Sequence, residues 1–376
     1  MTADLARELS KRHDVTVLTS AVDGYGNEET DGNVRVVRVP TTARKERAAA
    51  NIVSMAQYVF NGRRIAQRLA RREQFDLVNT FFVLPTGPVG QAAARSGRIP
   101  HVVSALGADI YDPSKTFVPH RFWLLRNITA RLLTNADAVT VESKNLIHYM
   151  KRFYSSDFDA KLIPLGINRP PSPTRTRADL GFSDDEVLLV ALGRLVSRKA
   201  VDQLIHSIKD LANTNARLVI VGDGPQEAAL KSLAAELGVT DKVSFVGHVD
   251  ESTKYDLLHA SDVFVTTTQH EGFGLVFLEG MACGLPVVCY DEGGHTDFLE
   301  HGANAMIAKL NDRAAWVTHC RRLIEDAQTR KEMSAAAVKS VEPYFMDSCA
   351  EVYAQLYEQT IEYSGRRPGR GSPTAA

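Results

Sequence analysis

Short apolar runs rich in valine, leucine and isoleucine recur along the whole chain, and longer amphipathic stretches separate them. Each run has the length of a buried strand, and each stretch between has room for a helix. Strands that alternate with helices form a parallel, doubly wound sheet, so the pattern predicts an α/β fold. The predicted strands are residues 15–20, 35–40, 76–82, 101–106, 137–143, 186–195, 217–225, 242–249, 262–268 and 285–290.

A proline-rich stretch, RPPSPTRTRADLG, separates the two series of predicted strands. With 376 residues, the chain is long enough for two domains that each bury a core. We therefore predict an N-terminal domain over residues 1–168 and a C-terminal domain over residues 169–345. A helix is predicted over 346–363, with Tyr353, Leu356, Tyr357 and Ile361 on one face, and a disordered tail over 364–376.

Composition and charge exclude several classes of protein. The formal net charge of −1 argues against a nucleic-acid partner, and no apolar run is long enough to span a membrane. The opening residues lack the apolar core of a signal peptide. The cysteines show no metal-ligand spacing, so we expect no metal site and reduced thiols in a cytoplasmic protein. They are Cys283, Cys289, Cys320 and Cys349.

The stretch EGFGLVFLEGMACGLPVV, residues 271–288, has the pattern of an anion site. Gly272 and Gly274 let the backbone approach a ligand closely because they carry no Cβ atom. A helix that begins near Gly274 directs unpaired N–H groups and a partial positive charge at the same place, which suits a phosphate. Glu271 lies at this turn, and Glu279 lies further along the helix. An ordinary turn with solvated glutamates is the alternative.

A second motif, GRLVSRKA, places Arg194 and Lys199 just after a predicted strand. Parallel sheets present their ligand-binding groups at this edge. Arginine can bind two phosphate oxygens at once, whereas lysine acts as a compact charge, so the pair fits a diphosphate. The alternative is a solvated basic loop, and Arg198 could equally well belong to one.

These motifs resemble those of the retaining, nucleotide-sugar-dependent glycosyltransferases of family four. The resemblance covers most of residues 160–345 and, more loosely, the N-terminal half. It implies the GT-B fold, in which two Rossmann-like, doubly wound domains face a central cleft and the last helix crosses back to the first domain. It implies a donor site in which Arg194 and Lys199 bind the diphosphate and Glu271 binds the transferred sugar. The other donor-binding residues that it implies are Glu279 on the ribose hydroxyls, the turn Gly272, Phe273, Gly274 and Leu275, and Val249 at the base.

The chain departs from the family pattern at three places. The family begins with a strand and a glycine-rich loop that this chain lacks, so we expect a truncated or misassigned start and a slot of unpaired backbone in the sheet. Leu106 stands where the family often has histidine, although Gly107 and Asp109 remain as candidate acceptor-binding residues. Asp109 either orients the acceptor or caps a turn. Ala200 stands where the family often has glycine.

The leading hypothesis is a retaining glycosyltransferase for polysaccharide or glycolipid biosynthesis that needs neither metal nor cofactor. Its donor would be a UDP-sugar or GDP-sugar, and its acceptor a saccharide or a lipid-linked sugar. A nucleotide-sugar 2-epimerase would lack the combination of Arg194, Lys199, Glu271 and Glu279, and a glycogen-synthase-like polymerase is a further enzyme class on the fold. A catalytically weak or inactive nucleotide-sugar-binding subunit is the non-catalytic alternative.

A basic stretch in the N-terminal half admits two interpretations. It is either a solvated helix face or a surface that contacts anionic lipid at the inner face of the membrane. Trp123 could join such a surface, although we expect it in the core. The basic residues are Arg44, Lys45, Arg47, Arg63, Arg64, Arg68, Arg71 and Arg72.

Overall fold

The computed structural model describes residues 1–22, 25–42, 52–115, 118–155 and 157–365. The chain divides into two compact units, one formed by Met1–Gly166 together with the residues from Met346 onward, the other by Ile167–Phe345. The division falls two residues before the boundary that the proline-rich stretch suggests.

Helices and strands alternate along the described residues. The helices are α1 (Thr2–Leu9), α2 (Ile52–Arg72), α3 (Gly87–Gly97), α4 (Trp123–Thr134), α5 (Lys144–Phe153), α6 (Val201–Asp210), α7 (Glu227–Glu236), α8 (Glu251–Ala260), α9 (Leu275–Ala282), α10 (Arg313–Glu325), α11 (Ala327–Val341) and α12 (Met346–Gly365). The strands are β1 (Val15–Ser20), β2 (Glu28–Asp31), β3 (Val34–Val39), β4 (Val78–Phe81), β5 (His101–Ala105), β6 (Ala138–Val141), β7 (Lys161–Leu162), β8 (Val187–Leu192), β9 (Ala216–Val221), β10 (Val243–Gly247), β11 (Val263–Val265), β12 (Val287–Tyr290) and β13 (Ala305–Ala308).

The first unit contains two sheets, with strand orders β1-β3-β2 and β4-β5-β6-β7. The pairing is parallel except for β2, which runs antiparallel to β3. Helix α1 packs against both sheets, since Leu5 shares a core with Val102 of β5 while Ala6 packs on Val34 of β3. Within the described residues, β1 and β4 each end a sheet, so each leaves one edge of backbone groups without a strand partner.

Strand β2 corrects the sequence analysis, which leaves residues 21–34 as a polar loop. Its side chains alternate between exposed and half-buried, and its sequence EETD carries three acids. Charged residues are common on edge strands, where they discourage pairing with another chain. A turn at Gly32, with φ of 60°, returns the chain to β3. Strand β13 was also not predicted.

The second unit is built on one six-stranded parallel sheet, with the order β10-β9-β8-β11-β12-β13. Leu188, Leu189 and Val190 of β8 are fully buried because helices cover both faces of the sheet. The chain passes from β8 to β9 and β10 on one side and returns to β11 on the other. The order therefore reverses between β8 and β11, which makes their carboxyl ends the place where such folds bind ligands.

Helix α12 belongs to the first unit and packs beside β5 through Tyr353 and Leu356. Ile361 does not lie on this buried face as predicted, since it is 37% exposed, while Thr360 is buried. The helix continues to Gly365, two residues beyond its predicted end. The remainder of the predicted tail lies outside the described residues.

Trp123 and the basic stretch both belong to the first unit. Trp123 is 69% exposed at the start of α4, so the prediction of a core role is wrong. The five arginines of α2 are exposed on its solvent side, whereas Arg44, Lys45 and Arg47 lie outside the described residues. No helix of the described part is both long and apolar enough to cross a membrane.

Candidate functional site

The loops that follow β8 and β11 are joined to each other at the point where the strand order reverses. These two strands pair in parallel, so their carboxyl ends lie side by side. The Gln269 amide donates to the Arg198 carbonyl at 2.8 Å, and the Thr267 hydroxyl donates to the Ala200 carbonyl at 2.8 Å. The two predicted motifs, GRLVSRKA and EGFG, are therefore held together by hydrogen bonds.

An ion pair between Lys199 and Glu271 lies at the centre of this region. The Lys199 Nζ atom is 2.5 Å from Glu271 Oε2, and each side chain is 13% exposed. Burial acts to raise the pKa of Glu271, but the nearby ammonium of Lys199 and guanidinium of Arg198 together hold it below its usual value. Glu271 is thus kept ionised.

Arg198 also contacts this pair, whereas the sequence left open whether it belongs to a solvated loop. Its Nη1 atom donates to the His270 carbonyl at 3.2 Å and lies 3.7 Å from Glu271 Oε2. Its side chain is 34% exposed. The sequence Arg198-Lys199 does not indicate which of the two side chains faces the site, because the backbone geometry of the loop determines their directions.

The turn after Glu271 has the geometry that the sequence predicts. Helix α9 begins at Leu275, and Gly274 precedes it with φ of 98°. A Cβ atom at Gly274 would also lie 2.8 Å from the Phe277 ring, so this position excludes other residues. The first turn of α9 consequently presents backbone N–H groups beside Glu271.

The glycine-containing turn that follows β9 packs against the loop that carries Arg194. A Cβ atom at Gly222 would lie 2.1 Å from the Gly193 carbonyl oxygen, and one at Gly224 would lie 2.4 Å from that of Leu195. This close approach is secured by the Leu195 amide, which donates to the Asp223 carbonyl at 2.7 Å. Arg194 itself is exposed, and its side chain forms no hydrogen bond or ion pair to the residues that the structure describes.

A second contact of Glu271 escaped the sequence analysis. The Gly294 amide donates to the Glu271 carbonyl at 2.8 Å, and Gly293 pairs with Glu271 as an isolated parallel bridge. A Cβ atom at Gly293 would lie 2.3 Å from that carbonyl oxygen, so the approach requires glycine. The available signal was the Gly-Gly dipeptide soon after the predicted strand 285–290.

Glu279 lies one helical turn past the start of α9 and pairs with Lys254 of α8. The Lys254 Nζ atom is 2.9 Å from Glu279 Oε1. Burial raises the pKa of Glu279, although Lys254 acts in the opposite direction. Val249 is half-buried in the segment that connects β10 to α8. The segment is tied to the neighbouring loop by the Gly222 amide, which donates to the Gly247 carbonyl at 2.8 Å.

The two candidate acceptor residues belong to the first unit. Asp109 is only 6% exposed, and its carboxylate accepts hydrogen bonds from the amides of Leu106, at 2.9 Å, and Val83. Burial raises its pKa to about 8, while these amides act to lower it. Gly107 adopts φ of 41° in the same turn. Of the two hypotheses for Asp109, this geometry favours the cap of a turn.

The described residues contain no group of three or more histidine, cysteine, aspartate or glutamate side chains that could hold a metal ion. All four cysteines are free thiols, with Cys283 half-buried and the other three buried.

Two family models match the chain over nearly its full length. The model of glycosyl transferases group 1 matches residues 173–340, and that of a glycosyl transferase 4-like domain matches residues 1–166. The chain is 24% identical over 374 residues to N-acetyl-alpha-D-glucosaminyl L-malate synthase from Bacillus anthracis, covering 95% of this chain and 92% of that one. It spans 55% and 49% of the length of two other curated glycosyltransferases, to which it is 32% and 36% identical.

Solved structures show the same fold. Sucrose-phosphate synthase from Thermosynechococcus elongatus matches with a TM-score of 0.82 and 21% identity, over 96% of this chain and 93% of that one. Anabaena HepE in complex with UDP and glucose matches with a TM-score of 0.73 and 20% identity, over 95% of both chains.

Proposed function

This chain is a family-four glycosyltransferase with the GT-B fold, and on that premise we propose that it transfers a sugar from a nucleotide-diphosphate sugar with retention of anomeric configuration. The acceptor is a saccharide or a lipid-linked sugar, and the reaction serves polysaccharide or glycoconjugate biosynthesis. The donor is a UDP-sugar or a GDP-sugar, for which the similar HepE, solved with UDP and glucose, is a precedent.

One observation carries the proposal: the Lys199 ammonium lies 2.5 Å from Glu271, beside the glycine turn that opens α9. A cation, a carboxylate and the N-terminus of a helix thus converge at the carboxyl ends of β8 and β11. A diphosphate would be bound by Lys199, Arg194 and the start of α9, and the attached sugar would lie near Glu271. Val249 and Glu279 would contact the base and the ribose.

The proposed reaction breaks the bond between the anomeric carbon and the β-phosphate oxygen. Negative charge develops on that phosphate, where the Lys199 ammonium and the Arg194 guanidinium stabilise it. The acceptor hydroxyl attacks from the same face and passes its proton to the leaving phosphate oxygen, so that a glycoside and a nucleoside diphosphate are formed. Glu271 stays ionised and stabilises the positive charge that develops on the sugar. The cationic groups act on the phosphates in place of a metal ion.

Replacement of Lys199 by alanine tests the placement of the diphosphate. The variant should bind UDP or GDP about tenfold or more weakly, because a charge-assisted contact is lost. Its affinity for the corresponding nucleoside should change little. Isothermal titration calorimetry measures both, with Lys231→Ala in α7 as the control, since Lys231 pairs with Glu227 on the surface. Equal losses for nucleotide and nucleoside would refute the placement.

Turnover of the donor distinguishes an enzyme from an inactive binding subunit. The wild-type protein should slowly release UDP or GDP from a donor sugar even without acceptor, and Glu271→Ala should lower this rate by about 10²–10³-fold. A coupled assay for free nucleoside diphosphate measures both rates. A protein that binds the donor without releasing diphosphate under any condition would instead be the binding subunit.

We further propose that the solvent side of α2 contacts anionic membrane. This helix has no acidic residue, and its exposed side is apolar at the N-terminal end, through Ile52, Val53 and Phe60. The C-terminal end is cationic, and Arg64 lies over the Phe60 ring at 3.9 Å. A cavity of about 300 Å³ lies among these arginines and could hold a lipid phosphate. Its arginines are Arg64, Arg68, Arg71 and Arg72.

Vesicle sedimentation tests this contact. The protein should bind phosphatidylglycerol vesicles more tightly than phosphatidylcholine vesicles, and replacement of Arg64, Arg68 and Arg71 by glutamine should weaken binding to the former by about tenfold. The charge-matched control replaces Arg322, Lys331 and Lys339 in α10 and α11, which are also exposed. Equal binding by both triple variants would refute a specific role for α2.

A further inference from the structure

Lys254 of α8 is a buried lysine that bridges two helices of the donor-binding unit. It lies in the helix that follows the segment containing Val249, and Asp250 caps that helix by accepting from the Thr253 amide at 2.7 Å. Its side chain is 11% exposed, and its ammonium lies 2.9 Å from both Glu279 and Glu251. An ammonium so far removed from water is stable only when paired.

The two carboxylates paired with Lys254 differ in their surroundings. The Glu251 side chain is 81% exposed and belongs to the same helix, so water can replace its contact at little cost. The Glu279 side chain is 18% exposed and comes from α9. Burial raises the pKa of Glu279, whereas the Lys254 ammonium, 2.9 Å away, lowers it and favours the charged carboxylate.

The pairing leaves half of the Glu279 carboxylate available to a ligand. The contact with Lys254 uses Oε1, and Oε2 accepts no hydrogen bond from the described residues. An ionised carboxylate accepts several hydrogen bonds, whereas a protonated one also donates. A carboxylate that accepts hydrogen bonds from two vicinal hydroxyls must therefore stay ionised and keep a fixed orientation.

We infer that Lys254 is the positioning residue for ribose recognition: it holds the Glu279 carboxylate so that Oε2 accepts from the vicinal hydroxyls of the donor nucleotide. The inference rests on the proposed function, because Glu279 contacts ribose only if the donor is a nucleotide sugar. A purely structural bridge between α8 and α9 is the competing role. The two roles differ in what the ribose hydroxyls contribute to binding.

The experiment measures the affinities of UDP and GDP, and of their 2′-deoxy and 3′-deoxy counterparts, by calorimetry. The wild-type protein should prefer the ribonucleotide that it binds by about tenfold, the usual effect of a charge-assisted hydrogen bond. Lys254→Met should lose this preference through weaker binding of the ribonucleotide alone, and Lys254→Arg should restore it. Lys254→Gln, which retains a donor without the charge, provides a second variant if the methionine protein folds poorly. Lys231→Met in α7 is the control.

The outcomes distinguish a failure of the positioning role of Lys254 from a failure of the proposed nucleotide-sugar donor. Loss of the ribose preference in the methionine or glutamine variant, with recovery in the arginine variant, supports the positioning role. A variant that melts at lower temperature but keeps the full preference overturns it and leaves a structural bridge. A wild-type protein that binds neither nucleotide overturns the donor assignment as well.

Discussion

Arg198 lies 3.7 Å from Glu271 and helps to keep this carboxylate ionised, which gives Arg198 a measurable effect. Replacement of Arg198 by methionine removes one of the positive charges that lower the pKa of Glu271, so this pKa should rise. Because the ionised form is the active one, the acidic limb of the kcat/KM profile should move to higher pH. Profiles of the variant and of Arg321→Met, a surface control, measure the shift. An unmoved limb would show that Arg198 serves only the backbone contact to His270.

Asp109 is the residue for which the structure separates two hypotheses that the sequence leaves open. Its carboxylate accepts from two backbone amides in a buried turn, so Asp109→Ala leaves both without an acceptor. The free energy of unfolding should fall by about 3 kcal/mol, while the KM for acceptor in the folded fraction stays near the wild-type value. Urea denaturation and acceptor kinetics measure the two effects, with the exposed Asp14→Ala as control. A raised acceptor KM at unchanged stability would instead assign Asp109 to the acceptor site.

The proline-rich segment at the start of the second unit is attached to α8, and Asp256 accepts several of the hydrogen bonds that hold it there. Asp256 accepts from the Thr174 amide at 2.6 Å and from Arg175 Nε at 2.9 Å, and these contacts lower its pKa to about 2. A carboxylate with a lowered pKa stabilises the fold above its unfolded pKa, near 4, and this contribution is lost as the pH falls toward 2.

Asp256→Asn should therefore flatten the dependence of the unfolding free energy on pH between about pH 5 and about pH 3. Urea denaturation across this interval compares the variant with wild-type protein and with Asp241→Asn, an exposed control. If the variant and the wild-type protein lose stability in parallel, the attachment of the segment does not depend on the charge of Asp256.

The elements that could be predicted from the sequence are those whose burial requires a recognisable run of apolar residues. The strands of the second unit are covered on both faces and consist of apolar runs, as β8 shows with VLLVAL. Strand β2 was missed because an edge strand needs no apolar face, although the Asp-Gly pair at residues 31–32 is a known hairpin signal. Ile361 shows the converse limit: an apolar residue at helical spacing lies outside the buried face.

At the site, the sequence identified the motif residues, but it did not identify the residues that they contact. The sequence identified Gly274 as a position of close backbone approach at the start of a helix, and its positive φ was found only in the structure. The approach of Gly293 to Glu271 and the pairing of Glu279 with Lys254 join residues that are distant in sequence. Such contacts depend on the strand order of the sheet, which places β12 beside β11 and which a single sequence does not encode locally.

At the scale of the whole molecule, the chain carries one tryptophan in each unit, and their surroundings differ. Trp316 is 1% exposed in the second unit, where its Nε1 atom donates to the Thr266 carbonyl at 3.2 Å, just past the end of β11. Trp123 in the first unit is 69% exposed, so unfolding changes its surroundings little. The red shift of tryptophan emission during heating should therefore report mainly on the second unit.

A nucleoside diphosphate that binds this unit at about one hundred times its dissociation constant should stabilise it by about 2.7 kcal/mol and raise the midpoint of the emission shift by about 5–10 °C. The Trp123→Phe variant should show the same rise, because the signal belongs to Trp316. Heating with UDP, GDP and ADP in turn also identifies the preferred base, since the largest rise marks the tightest ligand. If none of the three moves the midpoint, the second unit does not bind the donor nucleotide, and the roles proposed for Lys199, Glu271 and Glu279 cannot be correct.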